Sequence, residues 1–267
     1  MLINKKNARP ERELRVIDEN APFPFVEAYK SLRTNIDFLS STNHYHTILI
    51  TSAGPWDGKS TVAINLAAAM ADSGKRVILL DCDLRKGSIA SYLKISRTAP
   101  GISSILTGSK LLQDTIQHND ALKFDVLTVG ALPPNPAELV GSDKMIALIR
   151  VLSELYDYVF IDTPPVSVVT DAAILSRYVD GVLLVVRAGE TTKQALNVSK
   201  KALEDVNAHI LGAVLNDYDA RRNRYGGGYY TYSYGGKYGY KYGYGGYDRR
   251  TGRKRGKAAA ADEDEEA

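Results

Sequence analysis

The chain has 267 residues, 44% of them hydrophobic, with 34 basic and 31 acidic side chains, one cysteine and a net charge of +3. That length holds one α/β domain with a full core plus appendages, not a second catalytic domain, and its hydrophobic content is that of an ordinary soluble protein. No apolar run approaches the roughly 20 residues needed to span a bilayer, the stretch with Lys5, Lys6, Arg9, Glu11 and Arg12 has no signal-peptide apolar region, and Cys82 has no internal disulfide partner, so a cytoplasmic, non-redox protein is expected.

Phe25, Tyr29, Leu32, Ile36 and Leu39 recur at helical spacing, which predicts a helix over 25–39 docked outside the main fold. Glu27, Lys30 and Arg33 share one face of it, readable as a solvated surface with a local Glu-to-Lys pair. A strand at 47–52 leads into Ala53-Gly54-Pro55-Trp56-Asp57-Gly58-Lys59-Ser60, and a helix at 60–73 follows, ended by Gly74. The G-x-x-x-x-G-K-[ST] pattern between strand and helix presents backbone N–H groups and a helix N-terminus to a polyphosphate, with lysine as a mobile cation and the hydroxyl as a Mg2+ ligand. Ala53 stands at the first glycine, yet the strand-to-helix context still points to a bound nucleotide.

A strand at 76–82 ends in Asp81 and Asp83, which alternation places on one side with Cys82 opposite. Carboxylates so paired raise one partner's affinity for a proton unless a cation sits between them. Short helical pieces near 102–117, a strand at 124–129 and a helix at 141–155 precede a buried strand at 157–162. Asp162 closes that strand, where P-loop proteins place an acid beside Mg2+; a helix N-cap is the plainer alternative. A helix at 168–178, the Asp180-Gly181 turn, a strand at 181–187, a helix at 191–205 and a strand at 209–215 ending at Asn216 complete the pattern. Such alternation predicts a doubly wound α/β domain with a mostly parallel sheet, whose ligands gather at the strands' carboxyl ends.

From Arg221 the composition changes abruptly. Residues 221–267 contain 11 basic and 6 acidic side chains and almost no aliphatic ones, so the excess positive charge lies wholly there. Ten tyrosines (Tyr225, Tyr229, Tyr230, Tyr232, Tyr234, Tyr238, Tyr240, Tyr242, Tyr244 and Tyr247) are spaced mainly by Gly, Lys and Ser. This segment cannot bury a core and is expected to be disordered. The expected organisation is an extension at 1–24, an oligomerisation helix at 25–45, a P-loop domain at 46–220 and the tail at 221–267.

Asp81-Cys82-Asp83-Leu84-Arg85, together with Leu132-Pro133-Pro134-Asn135-Pro136-Ala137-Glu138-Leu139, Ile161-Asp162-Thr163-Pro164-Pro165 and the tyrosine cluster, resembles the bacterial tyrosine kinases. These share the P-loop fold of the partitioning and cell-division ATPases, and the match covers about residues 25–217. The eukaryotic kinase set, H-R-D followed by D-F-G, is absent. Such kinases usually have glycine where this loop has Trp56. The partitioning ATPases carry an additional lysine where this chain has Gly54, which favours the kinase branch.

The resemblance implies a role for each of these residues. The loop from Gly54 through Pro55, Trp56, Asp57, Gly58, Lys59 and Ser60 to Thr61 would cradle the phosphates of ATP, with Lys59 neutralising the β- and γ-phosphates. Ser60, Asp83 and Asp162 would hold Mg2+, and Asp81 would accept the tyrosyl proton, Asp83 being able to exchange roles with it. Arg85 would stabilise the transferred phosphoryl group or anchor a neighbouring chain, and Asn216 would read adenine or serve as a turn residue. No N-K-x-D guanine signature is present, so ATP is expected over GTP. The ten tail tyrosines would be the phosphoacceptors, modified between subunits of a ring built through an E-x-x-R-x-x-R motif, here Glu27, Lys30 and Arg33 with Lys30 in an arginine position. A separate transmembrane activator, or polysaccharide co-polymerase, would hold the kinase at the inner face of the cell membrane. Also implied are a cognate tyrosine phosphatase, control of capsule or exopolysaccharide synthesis and export, and no nucleic-acid partner. Two other classes compete: a positioning ATPase that hydrolyses ATP without modifying protein, and a non-catalytic scaffold whose basic tail binds polyanions.

Overall fold

The computed structural model describes residues 15–218. Its centre is β1 (Thr47–Ser52), all six residues buried, as a parallel strand covered on both faces must be. Three more strands run parallel to it and are buried along all or nearly all of their length: β2 (Val77–Asp81), β5 (Tyr158–Asp162) and β6 (Gly181–Arg187). At the margins lie β4 (Phe124–Leu127), the short β3 (Gln117–Asn119) and β7 (Ile210–Asn216). The order across the sheet is β3-β4-β2-β5-β1-β6-β7. All pairs are parallel except β3 with β4. Asp81 and Asp162 face each other directly in the β2–β5 register.

Successive strand residues alternate between two apolar layers. Leu49, Ile78, Leu80, Val159 and Ile161 pack with Met145, Ile149 and Leu152 of α6 (Asp143–Leu155) and with α7 (Asp171–Leu175). Ile48, Ile50, Val77, Leu79 and Phe160 pack on the other face with Ile64, Ala67 and Met70 of α2 (Lys59–Asp72). Eleven of the fourteen α2 residues are buried because a further helix, α1 (Phe23–Asn43), lies against it. The alanines Ala67, Ala68, Ala69 and Ala71 favour the helix and allow this close approach.

Short α3 (Ile89–Tyr92), α4 (Ile102–Leu106) and α5 (Pro136–Val140) occupy connections, and α8 (Lys193–Glu204) links β6 to β7. The six expected strands and the main helices are present. The helix expected over 141–155 is α6, which begins two residues later with Ser142 capping it through its side chain, and α5 before it was not anticipated. The piece expected over 168–178 is α7 followed by one 3-10 turn at Ser176–Tyr178. β3 was not anticipated: Gln117, His118 and Asn119 carry no apolar alternation, and its pairing with β4 makes it a strand.

α1 docks as its spacing implied, burying Tyr29 and Ile36. Two polar links lock it: Arg33 donates to the Ala69 carbonyl of α2 at 2.9 Å, and the Tyr158 hydroxyl of β5 donates to Asp37 at 2.8 Å. Among the described residues no helix is long and apolar enough to cross a membrane. Ile36 is 1% exposed at the α1–α2 junction, so Ile36→Ala should lower stability by about 2–5 kcal/mol, read as a fall in the denaturant midpoint. An unchanged midpoint would mean that α1 does not contribute to the folded core in solution.

Candidate active site

The phosphate loop leaves the carboxyl end of β1 at the middle of the sheet. Ala53 N–H still donates to the Val185 carbonyl at 3.1 Å, after which the chain breaks from the sheet. The loop is held from inside by Asp57, whose carboxylate accepts the Gly54 N–H at 2.7 Å and the Thr191 hydroxyl at 3.0 Å. Gly58 takes φ +93° as the cap of α2, and a Cβ there would collide with the Asn216 amide, so glycine is required on both counts. Trp56, at φ +70°, is a non-glycine residue in left-handed conformation with its indole 65% exposed. The Lys86 ammonium lies over that ring, 5.1 Å from its centroid.

Lys59 opens α2 and reaches two carboxylates, Asp83 and Asp162, each at 3.4 Å. The Ser60 hydroxyl donates to the same Asp162 oxygen at 2.6 Å and accepts from the Ser88 hydroxyl at 3.0 Å. Asp81 is fully buried beside them; its carboxyl group accepts the Ile89 N–H at 3.1 Å and the Asp83 N–H at 3.3 Å. Alternation holds as expected, with Cys82 on the opposite, core side. Burial, reinforced by the charge on Asp162, pushes Asp81 up to about 8. Burial likewise raises Asp162, against the opposing pull of Lys59 and Ser60. For Lys59 burial works to lower the pKa, but Asp162, Asp83 and Asp81 together outweigh it and hold the ammonium.

Three carboxyl groups thus surround one ammonium in a largely water-free corner. Asp162 Oδ1 is buried without a hydrogen-bond partner. No group of three or more His, Cys, Asp or Glu side chains among the described residues forms a closed metal cage. Mg2+ asks for little more than one or two carboxylates with waters and substrate phosphates. The orphaned Asp162 oxygen, the adjacent Ser60 hydroxyl and the excess acidity fit it.

Several sequence-predicted residues stand differently from expectation. Asp81 is not free to meet a phenol, since burial and two backbone donors enclose it, whereas the Asp83 side chain is 10% exposed. Arg85 makes a two-pronged pair with the buried Asp171 carboxylate at 2.9 and 3.0 Å, so its guanidinium braces the β2–α3 loop to α7. Asn216 donates to the Asp57 carbonyl at 2.8 Å and so supports the phosphate loop. Glu27 and Lys30 pair with each other at 2.9 Å on an exposed face, and one guanidinium nitrogen of Arg33 donates to the Ala69 carbonyl. The tail tyrosines, Tyr225 to Tyr247, lie outside the described residues.

Ser88, Thr191, Arg187 and Asp171 were not singled out from sequence. Thr191 is hidden by the neighbouring Thr192, which caps α8. Arg187 pairs with Asp217 at 2.8 Å and donates to the Trp56 carbonyl at 3.4 Å, a link between a strand end and a loop 131 residues away.

The AAA domain family model matches residues 47–215. The tyrosine-protein kinase YwqD of Bacillus subtilis (strain 168) is 40% identical over 190 residues, 71% of this chain and 80% of that protein. The tyrosine-protein kinase etk of Escherichia coli (strain K12) is 39% identical over 191 residues, 72% of this chain but 26% of the longer relative. Among solved structures, the kinase domain of Escherichia coli ETK superposes with a TM-score of 0.72 at 35% identity, covering 88% of this chain and 89% of that one. The Pyrococcus furiosus cell division ATPase MinD follows with a TM-score of 0.57 at 26% identity, covering 67% and 74%. With the AAA-domain model matching residues 47–215 and 40% identity to YwqD over 80% of that kinase, the chain belongs to the AAA-domain proteins and, within them, to the bacterial tyrosine-protein kinases.

Proposed function

We propose that the chain is a Mg-ATP-dependent autokinase that transfers the γ-phosphoryl group of ATP to Tyr225–Tyr247 of a neighbouring copy. The observation that carries this reading is Lys59 held at 3.4 Å from both Asp83 and Asp162 at the mouth of the phosphate loop. When ATP enters, Lys59 exchanges these carboxylates for phosphate oxygens, and the N-terminus of α2 faces the same charge. Mg2+ would sit against Ser60, Asp83 and Asp162 and neutralise charge building on the phosphates. The tyrosyl oxygen forms a bond to the γ-phosphorus, the bond from that phosphorus to the ADP oxygen breaks, and the phenolic proton passes to the Asp81–Asp83 pair. At neutral pH a carboxyl group near 8 carries its own proton, so Asp81 would take the phenolic proton only once bound Mg2+ had ionised it. Asp83 is the member nearer the surface, so the proton reaches Asp81 through it or after the 83–88 loop moves.

Relatives named EpsB in Ralstonia solanacearum and a kinase in the cps region of Klebsiella pneumoniae support a role in capsule or exopolysaccharide synthesis and export. With that role come a separate transmembrane activator, a position at the inner membrane face and a ring of subunits in which Glu27, Lys30 and Arg33 take part. A cognate tyrosine phosphatase would reverse the modification. The likeness to MinD favours one rival, a positioning ATPase that makes no phosphoprotein.

Purified protein incubated with Mg-ATP, with and without a cytosolic activator segment, should gain several phosphates between Tyr225 and Tyr247 by peptide mass. Lys59→Met and truncation after Asp219 should each abolish them. ATP turnover without phosphotyrosine under every condition would move the chain to the positioning ATPases.

Protonation of Asp81 also sets a pH dependence. Its folded pKa of about 8 lies above the ordinary 3.8, so between these values the folded chain holds a proton that the unfolded chain has lost. Without Mg2+ and nucleotide, stability from this group should therefore be full below about pH 4 and fall as pH rises toward 8. Melting curves of Asp81→Asn should show a shallower decline across that window than wild type. Equal slopes would show that Asp81 is ionised in the folded protein.

A further inference from the structure

The phosphate-transfer scheme uses Asp81, Asp83 and Asp162 but leaves a fourth buried carboxylate without a role. Asp57 lies inside the phosphate loop, 6% exposed, and no cation pairs with it among the described residues. Its two oxygens are divided: Oδ2 accepts from Gly54 N–H at 2.7 Å, and Oδ1 from the Thr191 hydroxyl at 3.0 Å. Thr191 is itself fixed, its Oγ1 accepting the Arg187 N–H at 2.8 Å. The Asp57 carbonyl accepts from Asn216 at 2.8 Å. Arg187 closes the circuit through Asp217 and the Trp56 carbonyl.

We infer that Asp57 is a positioning residue that holds the phosphate loop in its binding shape by tying it to the loops at the ends of β6 and β7. The inference rests on nucleotide binding by this loop. A non-glycine residue at φ +70°, Trp56, disfavours the loop's conformation. A charge-assisted hydrogen bond across the loop, from Asp57 back to Gly54, opposes that tendency. Because both carboxylate oxygens of Asp57 are taken within the protein, by Gly54 and Thr191, its contribution is to the fraction of molecules with the loop already shaped. Apparent affinity falls in proportion to that fraction.

Binding of ATP and of ADP to the full chain, followed with a fluorescent nucleotide, tests the assignment. Asp57→Ala should weaken both by on the order of tenfold. Asp57→Asn keeps an acceptor oxygen for Gly54 and should restore most of the affinity; a role only in global stability would move the melting temperature without this selective rescue. Thr191→Val should act in the same direction but more weakly, and should add little in an Asp57→Ala background. Wild-type affinity in Asp57→Ala, or a loss that Asp57→Asn leaves unrepaired, overturns the assignment. Should Asp57→Ala fail to fold, Thr191→Val decides: unchanged affinity overturns, weakened affinity supports. A wild-type chain that binds no nucleotide overturns the underlying reading instead, and the assignment with it.

Discussion

The charge balance at Lys59 governs the rest of the site. The parallel register that sets Asp81 beside Asp162 forces two carboxyl groups together where the sheet leaves no water, and Asp83 adds a third at the loop above. One ammonium cannot neutralise all three, so a proton settles on Asp81 and Asp162 keeps an oxygen without a donor. A core of close-packed aliphatic residues on both faces of β2 and β5 holds these groups at separations they would not choose in water. The arrangement is an excess of negative charge, which a cation placed among these groups would relieve.

On the proposed reading, phosphate loop, strand-end acids and lysine would prepare a terminal phosphoryl group for attack, whichever nucleophile arrives. What distinguishes a tyrosine kinase is access for a phenol and a carboxyl group basic enough to take its proton. On the proposed reading the edge of Asp83 and the raised proton affinity of Asp81 would supply those features, with Trp56 and Lys86 nearby.

Most of the fold was legible because its signals are local. Strands at 47–52 and 181–187 are continuous apolar runs, and the phosphate loop is eight consecutive residues, so both were placed without knowledge of the tertiary structure. The carboxyl groups were legible too, since each closes an apolar strand. What sequence could not reveal was partnership. Arg85 meets Asp171 across 86 positions, Asn216 meets Asp57 across 159 and Arg33 meets Ala69 across 36. Each had been read by its chemistry toward an outside ligand or subunit, and in the structure each is occupied within the chain. β3 escaped notice for a related reason, because only pairing with β4 makes Gln117–Asn119 a strand.

α2 begins with Lys59 and Ser60 at the phosphate loop and, fourteen residues later, ends beneath α1. At 1.5 Å per residue that is a rod of about 20 Å, gripped near its far end by Arg33 through the Ala69 carbonyl. Displacement of α1 by a neighbouring molecule therefore loads the same stiff strut whose other tip aims the ammonium at the phosphates. On the proposed reading, the helix bearing the expected contact between subunits and the lysine that would meet nucleotide are mechanically in series, so crowding at one end of the domain would be felt as geometry at the other.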